Sequence, residues 1–144
     1  MKILILNGPN INFLGIREKS VYGTLTYQEY LNKIDEYANN KAILVEVKQS
    51  NHEGVLIDLL QEAHFDDEII GVILNGGGYT HTSIALMDAV SSISKPVIEV
   101  HFSDISKREE FRHHSYLTNV CEKTFKGNGI NSYFDAIDYL ISRK

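Results

Sequence analysis

The chain alternates short apolar runs with helix-period patterns, and this alternation narrows its possible folds more than any other feature. Lys2–Leu6, Ala42–Val47, Ile69–Leu74 and Val97–Phe102 read as strands, with a fifth near Cys121–Phe125. Ile69–Leu74 is apolar except at Gly71, the pattern of a strand covered on both faces. Thr26-x-x-Glu29 is a capping-box pattern that opens a helix to about Asn39, with Tyr30, Ile34, Tyr37 and Ala38 as its apolar stripe. Ser50-x-x-Glu53 repeats the pattern before Leu56, Ile57, Leu60 and Ala63. Thr80 or Thr82 is expected to cap a third helix, with Ile84, Ala85, Leu86, Met87 and Val90 inside. A last helix is expected from about Ser132 to Ile141.

Strands that alternate with helices build a parallel sheet with helices on both faces. The expected architecture is therefore α/β: a flavodoxin-like three-layer sandwich on a five-stranded parallel sheet, order 2-1-3-4-5. The 144 residues contain no repeat, low-complexity tract or linker, so a single catalytic domain spanning residues 1–144 is expected. Net charge is −5 and no basic stripe appears, which argues against a nucleic-acid partner. The single cysteine, Cys121, rules out an internal disulfide and suits a reducing compartment. The apolar run before Asn7 is too short for a signal peptide or a membrane span, so a cytoplasmic location without membrane contact is expected.

Asn7–Gly23 is long for a connection in a compact domain, and such loops are usually functional or disordered. Ile11, Phe13, Leu14, Val21 and Tyr22 make it too apolar for a solvated linker. It reads as a partly ordered lid over an active site.

In folds of this class, ligands bind outside the carboxyl ends of the strands. There the sequence places Asn7, Asn10, Asn12, Arg17 and Tyr22 after strand one, and Gln49-Ser50-Asn51-His52-Glu53 after strand two. Asn75-Gly-Gly-Gly-Tyr79-Thr80-His81 follows strand three. His101, Ser103, Asp104, Arg108 and Arg112-His113-His114 follow strand four. Gly76-Gly77-Gly78 lacks the spacing of a phosphate or dinucleotide fingerprint and reads as a tight turn. Its exposed N–H groups, at an expected helix start, still suit an anion.

Glu99 and His101 alternate along a strand and so face one side. A carboxylate beside an imidazole fixes its tautomer, which suits a general acid; an incidental strand-end pair is the equal alternative. Tyr22, five residues beyond Arg17, reads as a base or nucleophile, or else as a core aromatic. His81 and Asp88 are expected on one helix face, where Asp88 reads as a solvated charge. No histidine pair has metal-ligand spacing, so no metal site is expected. Cys121 reads as a small core residue.

Five segments carry a family resemblance along essentially the whole chain: L-N-G-P-N-I-N-F-L-G-x-R-E-x-x-x-Y-G, Q-S-N-H-E-G, G-G-Y-T-H-T-S, V-I-E-V-H-F-S and R-E-E-F-R-H-H-S. The sequence resembles type II 3-dehydroquinate dehydratase. The resemblance implies a hydro-lyase of the shikimate pathway, converting 3-dehydroquinate to 3-dehydroshikimate through an enolate, with no cofactor, metal or Schiff base. It implies Tyr22 as proton acceptor, Arg17 as the group favouring the tyrosinate, and His101 as proton donor oriented by Glu99. It implies a water held near Asn10 for the enolate oxygen, and Asn75, His81, Arg112 and the backbone at Phe102–Ser103 as substrate-binding. It further implies that Asp88 reaches a neighbouring subunit's site, in trimers that associate four at a time into a homododecamer.

Five positions depart from the usual pattern: Lys19 stands for proline, Gly76 for proline, Gly78 for alanine, Asp104 for asparagine, and Asn128 for the leucine of Gly-Leu-Gly. None removes a proposed catalytic group. A flavin electron carrier would need hydroxyls after strand one, which Asn7-Gly8-Pro9-Asn10 lacks. A signalling receiver would need an acidic cluster there and an aspartate ending strand three; neither is present.

Overall fold

The computed structural model describes residues 1–143. Its elements in chain order are β1 (Lys2–Asn7), a 3-10 turn (Ile11–Phe13), α1 (Lys19–Tyr22), α2 (Tyr27–Asn40), β2 (Leu44–Gln49) and α3 (Glu53–Phe65). Then come β3 (Ile69–Asn75), a 3-10 turn (Gly77–His81), α4 (Ile84–Ser92) and β4 (Val97–His101). Two further 3-10 turns (Ile105–Lys107 and Glu110–Arg112), β5 (Lys123–Lys126) and α5 (Asn131–Ser142) complete the chain. The strands form one parallel sheet in the order 2-1-3-4-5, as expected from the alternation.

Strand residues alternate between two cores because successive side chains point to opposite faces. Ile3, Ile5, Ile73, Ile98 and Val100 pack under α2 and α5. Leu4, Leu6, Val72, Leu74 and Val97 pack under α3 and α4. Gly71 lets α5 pack tightly on the sheet: a Cβ there would lie 2.5 Å from Leu140 Cδ2.

Local chemistry sets the element ends. The Thr26–Glu29 capping box forms with both of its bonds. Helix α2 ends in a Schellman motif, with Ile43 N–H bonded to Ala38 O, Ala42 N–H to Asn39 O, and Ala42 in the left-handed region at φ 55°. That turn uses Ala42 and Ile43, so β2 begins at Leu44 rather than at Ala42. The capping box expected at Ser50 and Glu53 does not form. Ser50 Oγ instead accepts from His52 N–H at 3.0 Å, and α3 starts behind His52. Thr80 and Thr82 cap nothing, because their segment closes into a 3-10 turn. Ser83 caps α4, accepting from Leu86 N–H at 2.8 Å.

Candidate active site

Strands β1, β3 and β4 end side by side, and the loops that follow them enclose a cavity of about 120 Å³. Among its lining residues are nine positions singled out from the sequence: Asn10, Arg17, Tyr22, Asn75, His81, His101, Phe102, Ser103 and Arg112. Of the other two, Glu99 lies directly behind His101, and Asp88 lies elsewhere, exposed on α4. His81 precedes α4, in the 3-10 turn, so it shares no helix face with Asp88.

Two halves of the first loop behave differently. Ile11 and Leu14 are buried in the core, which anchors the segment after β1. Asn10 adopts φ 67°, ψ 0°, a left-handed conformation that asparagine tolerates. Its N–H donates to Asn51 Oδ1 at 3.1 Å, and Gln49 Nε2 donates to the same oxygen and to Gly8 O. The loop after β2 thus braces the loop after β1. Beyond Gly15 the chain buries nothing in α1, and Tyr22 comes to the cavity from the end of that short helix.

Tyr22 stands between two guanidinium groups. Arg17 Cζ lies 4.5 Å from the ring centroid, and Arg108 Nη1 donates to the hydroxyl at 2.9 Å. Arg108 Nη1 also reaches Ser103 Oγ at 3.3 Å. Glu18 pairs with Arg17 at 3.2 Å and with Arg108 at 3.8 Å, from outside the cavity. Arg108 is the functional candidate to which the sequence assigned no role. It was visible as one polar residue after β4, but its contact with Tyr22 spans 86 residues.

His101 also lines the cavity, and its Nε2 lies 2.7 Å from Glu99 Oε2. Glu99 is fully buried, and its carboxylate also accepts from Ser115 Oγ (2.6 Å), Thr118 Oγ1 (2.6 Å) and Thr124 Oγ1 (2.9 Å). Burial alone would raise its pKa. The His101 contact and the hydroxyl donors outweigh burial and hold the carboxyl at about 2. The charge fixes the imidazole ring through Nε2, which leaves Nδ1 for other chemistry.

His81 Nδ1 lies 2.8 Å from His114 O, a partner that only accepts. The proton is therefore on Nδ1, and Nε2 of the neutral ring is an acceptor. Burial pushes the His81 pKa down, against the pull of that carbonyl contact, which favours the neutral ring. Asn75 and Gly77 shape the floor: Gly77 takes φ 56°, and a Cβ there would lie 2.9 Å from Pro9 O. The helix start expected at the three glycines is displaced to Ile84, so no long helix aims its N-terminus at the cavity from there. Positive charge comes instead from Arg17, Arg108 and Arg112, and no carboxylate lines the cavity. The surroundings favour an anionic ligand despite the chain's net charge of −5.

A parallel five-stranded sheet with a phenol, an imidazole–carboxylate pair and three arginines at its carboxyl end defines a doubly wound α/β protein with a positively charged cavity at the strand ends. The sequence matches the family model "Dehydroquinase class II" over residues 1–141, and the chain belongs to that family. It is 49% identical over 142 residues to a 3-dehydroquinate dehydratase of Lachnoclostridium phytofermentans, covering 99% of this chain and 97% of that one. The crystal structure of type II dehydroquinase from Butyrivibrio crossotus superposes with a TM-score of 0.96 at 51% identity, covering 99% of this chain and 98% of that one. That of Propionibacterium acnes gives 0.91 at 38% identity, covering 96% and 94%.

Proposed function

We propose that this protein dehydrates 3-dehydroquinate to 3-dehydroshikimate, a hydro-lyase step of the shikimate pathway and hence of aromatic amino acid biosynthesis. The observation that carries the reading is that two supported acid–base candidates line one cavity: Tyr22 held by Arg108 at 2.9 Å, and His101 held by Glu99 at 2.7 Å. An elimination of water next to a ketone needs one group to take a proton from carbon and another to give one to the departing hydroxyl.

Tyr22 takes the proton from the carbon beside the ketone, and the C–H electron pair moves into an enolate. Arg17 lies over the Tyr22 ring and Arg108 on its oxygen, which places positive charge where the base reacts. The enolate oxygen is stabilised by a water held near Asn10, a preorganised donor where charge develops. His101 protonates the leaving hydroxyl, water departs, and the enolate collapses to the conjugated ketone. Glu99 orients His101 throughout. Asn75, His81, Arg112 and the backbone at Phe102–Ser103 hold the ring hydroxyls and carboxylate. The three arginines on a cavity without acidic residues support recognition of that carboxylate. Every step uses protein groups and water, with no cofactor or metal.

The same reading makes residues 1–144 a single catalytic domain of a cytoplasmic enzyme. It acts on a small molecule, with neither nucleic acid nor membrane as partner. Among the described residues, no helix is long and apolar enough to cross a membrane. Trimers assemble four at a time into a homododecamer, and Asp88 of one chain contributes to a neighbour's site. The test is the ultraviolet absorbance of the conjugated product after 3-dehydroquinate is added to purified protein. Appearance of that band at catalytic protein concentrations is expected; a folded preparation without turnover refutes the assignment.

A further inference from the structure

Behind the cavity lies a buried polar chain of which the proposed reaction uses Asn75 alone. Asn7 and Asn75 end neighbouring strands and are paired in register. Asn75 Oδ1 accepts from Gly77 N–H at 3.1 Å, and Asn75 Nδ2 donates to Tyr133 Oη at 2.8 Å. Tyr133 Oη donates to Asn7 Oδ1 at 2.7 Å, and Asn7 Nδ2 donates to Tyr30 Oη at 3.0 Å. Asn7, Tyr30 and Tyr133 are 0% exposed and Asn75 3%.

The direction of this chain is not free. A backbone N–H only donates, so Gly77 requires the oxygen of Asn75 to face it. The amide nitrogen must then face Tyr133, whose hydroxyl must accept from it and donate onward. Asn7 is oriented in turn. Burial raises the Tyr133 phenol pKa, so its proton stays in place over the working range and the direction does not reverse. Asn75 is left with one N–H and one lone pair beyond these bonds, and of the four side chains Asn7, Tyr30, Asn75 and Tyr133 it is the one that lines the cavity.

We infer that Tyr133 and Asn7 are positioning residues for substrate recognition, holding the Asn75 amide in one orientation so that it meets the ligand in fixed geometry. This rests on the dehydratase reading of the cavity. Neither residue touches substrate. Their effect passes through Asn75, and it ties α5, at the far end of the sequence, to the ends of β1 and β3.

Tyr133→Phe removes one oxygen and keeps the ring. Loss of one buried hydrogen bond to a substrate-binding amide corresponds to roughly a tenfold change. The expected result is a KM for 3-dehydroquinate about tenfold higher, with kcat nearly unchanged. Tyr30→Phe is the control, because it removes a buried hydroxyl from the same chain without touching Asn75; it is expected to lower Tm and leave KM alone. In an Asn75→Ala background, Tyr133→Phe is expected to raise KM no further, as for residues acting through one another. If Tyr133→Phe does not fold, Asn7→Ser carries the test, since it strands the Tyr133 hydroxyl and is expected to raise KM likewise. An unchanged KM in the folded variant, an equal rise in Tyr30→Phe, or full additivity with Asn75→Ala overturns the positioning role. Wild-type protein that does not turn over 3-dehydroquinate overturns the dehydratase reading itself, which is seen before any variant is made.

Discussion

Arg108 donates to the Tyr22 hydroxyl at 2.9 Å and joins the loop after β4 to the end of α1. The bond places a fixed positive charge on the oxygen that would carry negative charge as tyrosinate, while Arg17 covers the ring face. Tyr22→Phe is expected to keep the fold and lose turnover by about a hundredfold to ten-thousandfold, the usual effect of deleting a general base. Arg108→Met keeps most of the side-chain stem, and is expected to lower kcat by roughly a hundredfold. Steady-state kinetics with a circular-dichroism check on folding decides both. Near-normal turnover in either variant removes that residue from the mechanism.

Glu99 makes stability depend on acid. Its folded-state carboxyl is lowered from 4.5 to about 2, because the imidazole and hydroxyl donors overcome burial. A depressed carboxyl contributes stability above its unfolded pKa and loses it as pH falls through the folded one. The contribution, roughly 3 kcal/mol, is therefore complete above pH 4.5 and is lost toward pH 2. Denaturant midpoints measured from pH 5 to pH 2.5 should fall in the wild type and fall less steeply in Glu99→Gln. Parallel curves for the two proteins would place the acid sensitivity elsewhere.

The strand order and the polar loops at one sheet end were legible because apolar periodicity and strand-end position are local signals. The helix caps expected at Ser50 and at Thr80 or Thr82 do not form. A serine or threonine followed three residues later by a partner also satisfies a turn, and Ser50 serves His52 N–H instead. The start of β2 was misplaced because the Schellman motif at Ala42 has no glycine to announce it. Glu99 and His101 were legible as a pair, two apart on one strand. Their support was not, since Ser115 and Thr118 come from a segment without periodicity and Thr124 meets Glu99 only through the pairing of β4 with β5. Arg108 and Tyr133 are not legible in the sequence because only the closed fold brings them to Tyr22 and Asn75.

Two exchanges in opposite directions should both stabilise the protein. Gly78 does not have positive φ, and a Cβ there would meet nothing within 4 Å. Gly78→Ala should therefore gain about 0.4–1 kcal/mol by restricting the unfolded chain. Ala42 holds φ 55° at the end of α2, a conformation that costs an L-residue about 1–2 kcal/mol. Ala42→Gly relieves that strain and gives back part of the gain as unfolded-state entropy, for a net of about 0.5 kcal/mol. Thermal melts of the single variants test each estimate; a lowered Tm contradicts the local geometry at that position.

The outer half of the first loop should be the earliest site of proteolysis. Helix α1 buries none of its residues, Lys19 is exposed, and Ile16 is 69% exposed. Ile11 and Leu14, by contrast, anchor the inner half. Lys19 is itself a residue after which trypsin cuts. Limited trypsinolysis of the free protein should cleave first after Arg17 or Lys19, and a substrate analogue should slow the cut by closing the segment over the cavity. First cleavage elsewhere, or an unchanged rate with ligand, argues for a packed loop rather than a lid.

Asp88 tests whether each site is shared between chains. His81 is pinned to its own cavity by His114 O at 2.8 Å. The chain then leaves that turn and enters α4 at Ile84, and Asp88 lies about 6 Å along the helix axis from there, at 1.5 Å per residue. It is exposed and absent from the cavity lining of its own chain. If it serves a site, that site belongs to a neighbour, and a cyclic trimer makes such contacts head to tail. Tyr22→Phe and Asp88→Ala chains, each weak alone, are unfolded together and reassembled. A site that takes Tyr22 from an Asp88→Ala chain and Asp88 from a Tyr22→Phe chain is intact, so mixed oligomers should recover activity. Full activity of Asp88→Ala alone makes Asp88 dispensable. Two weak variants that stay weak after confirmed mixing rule out the shared site.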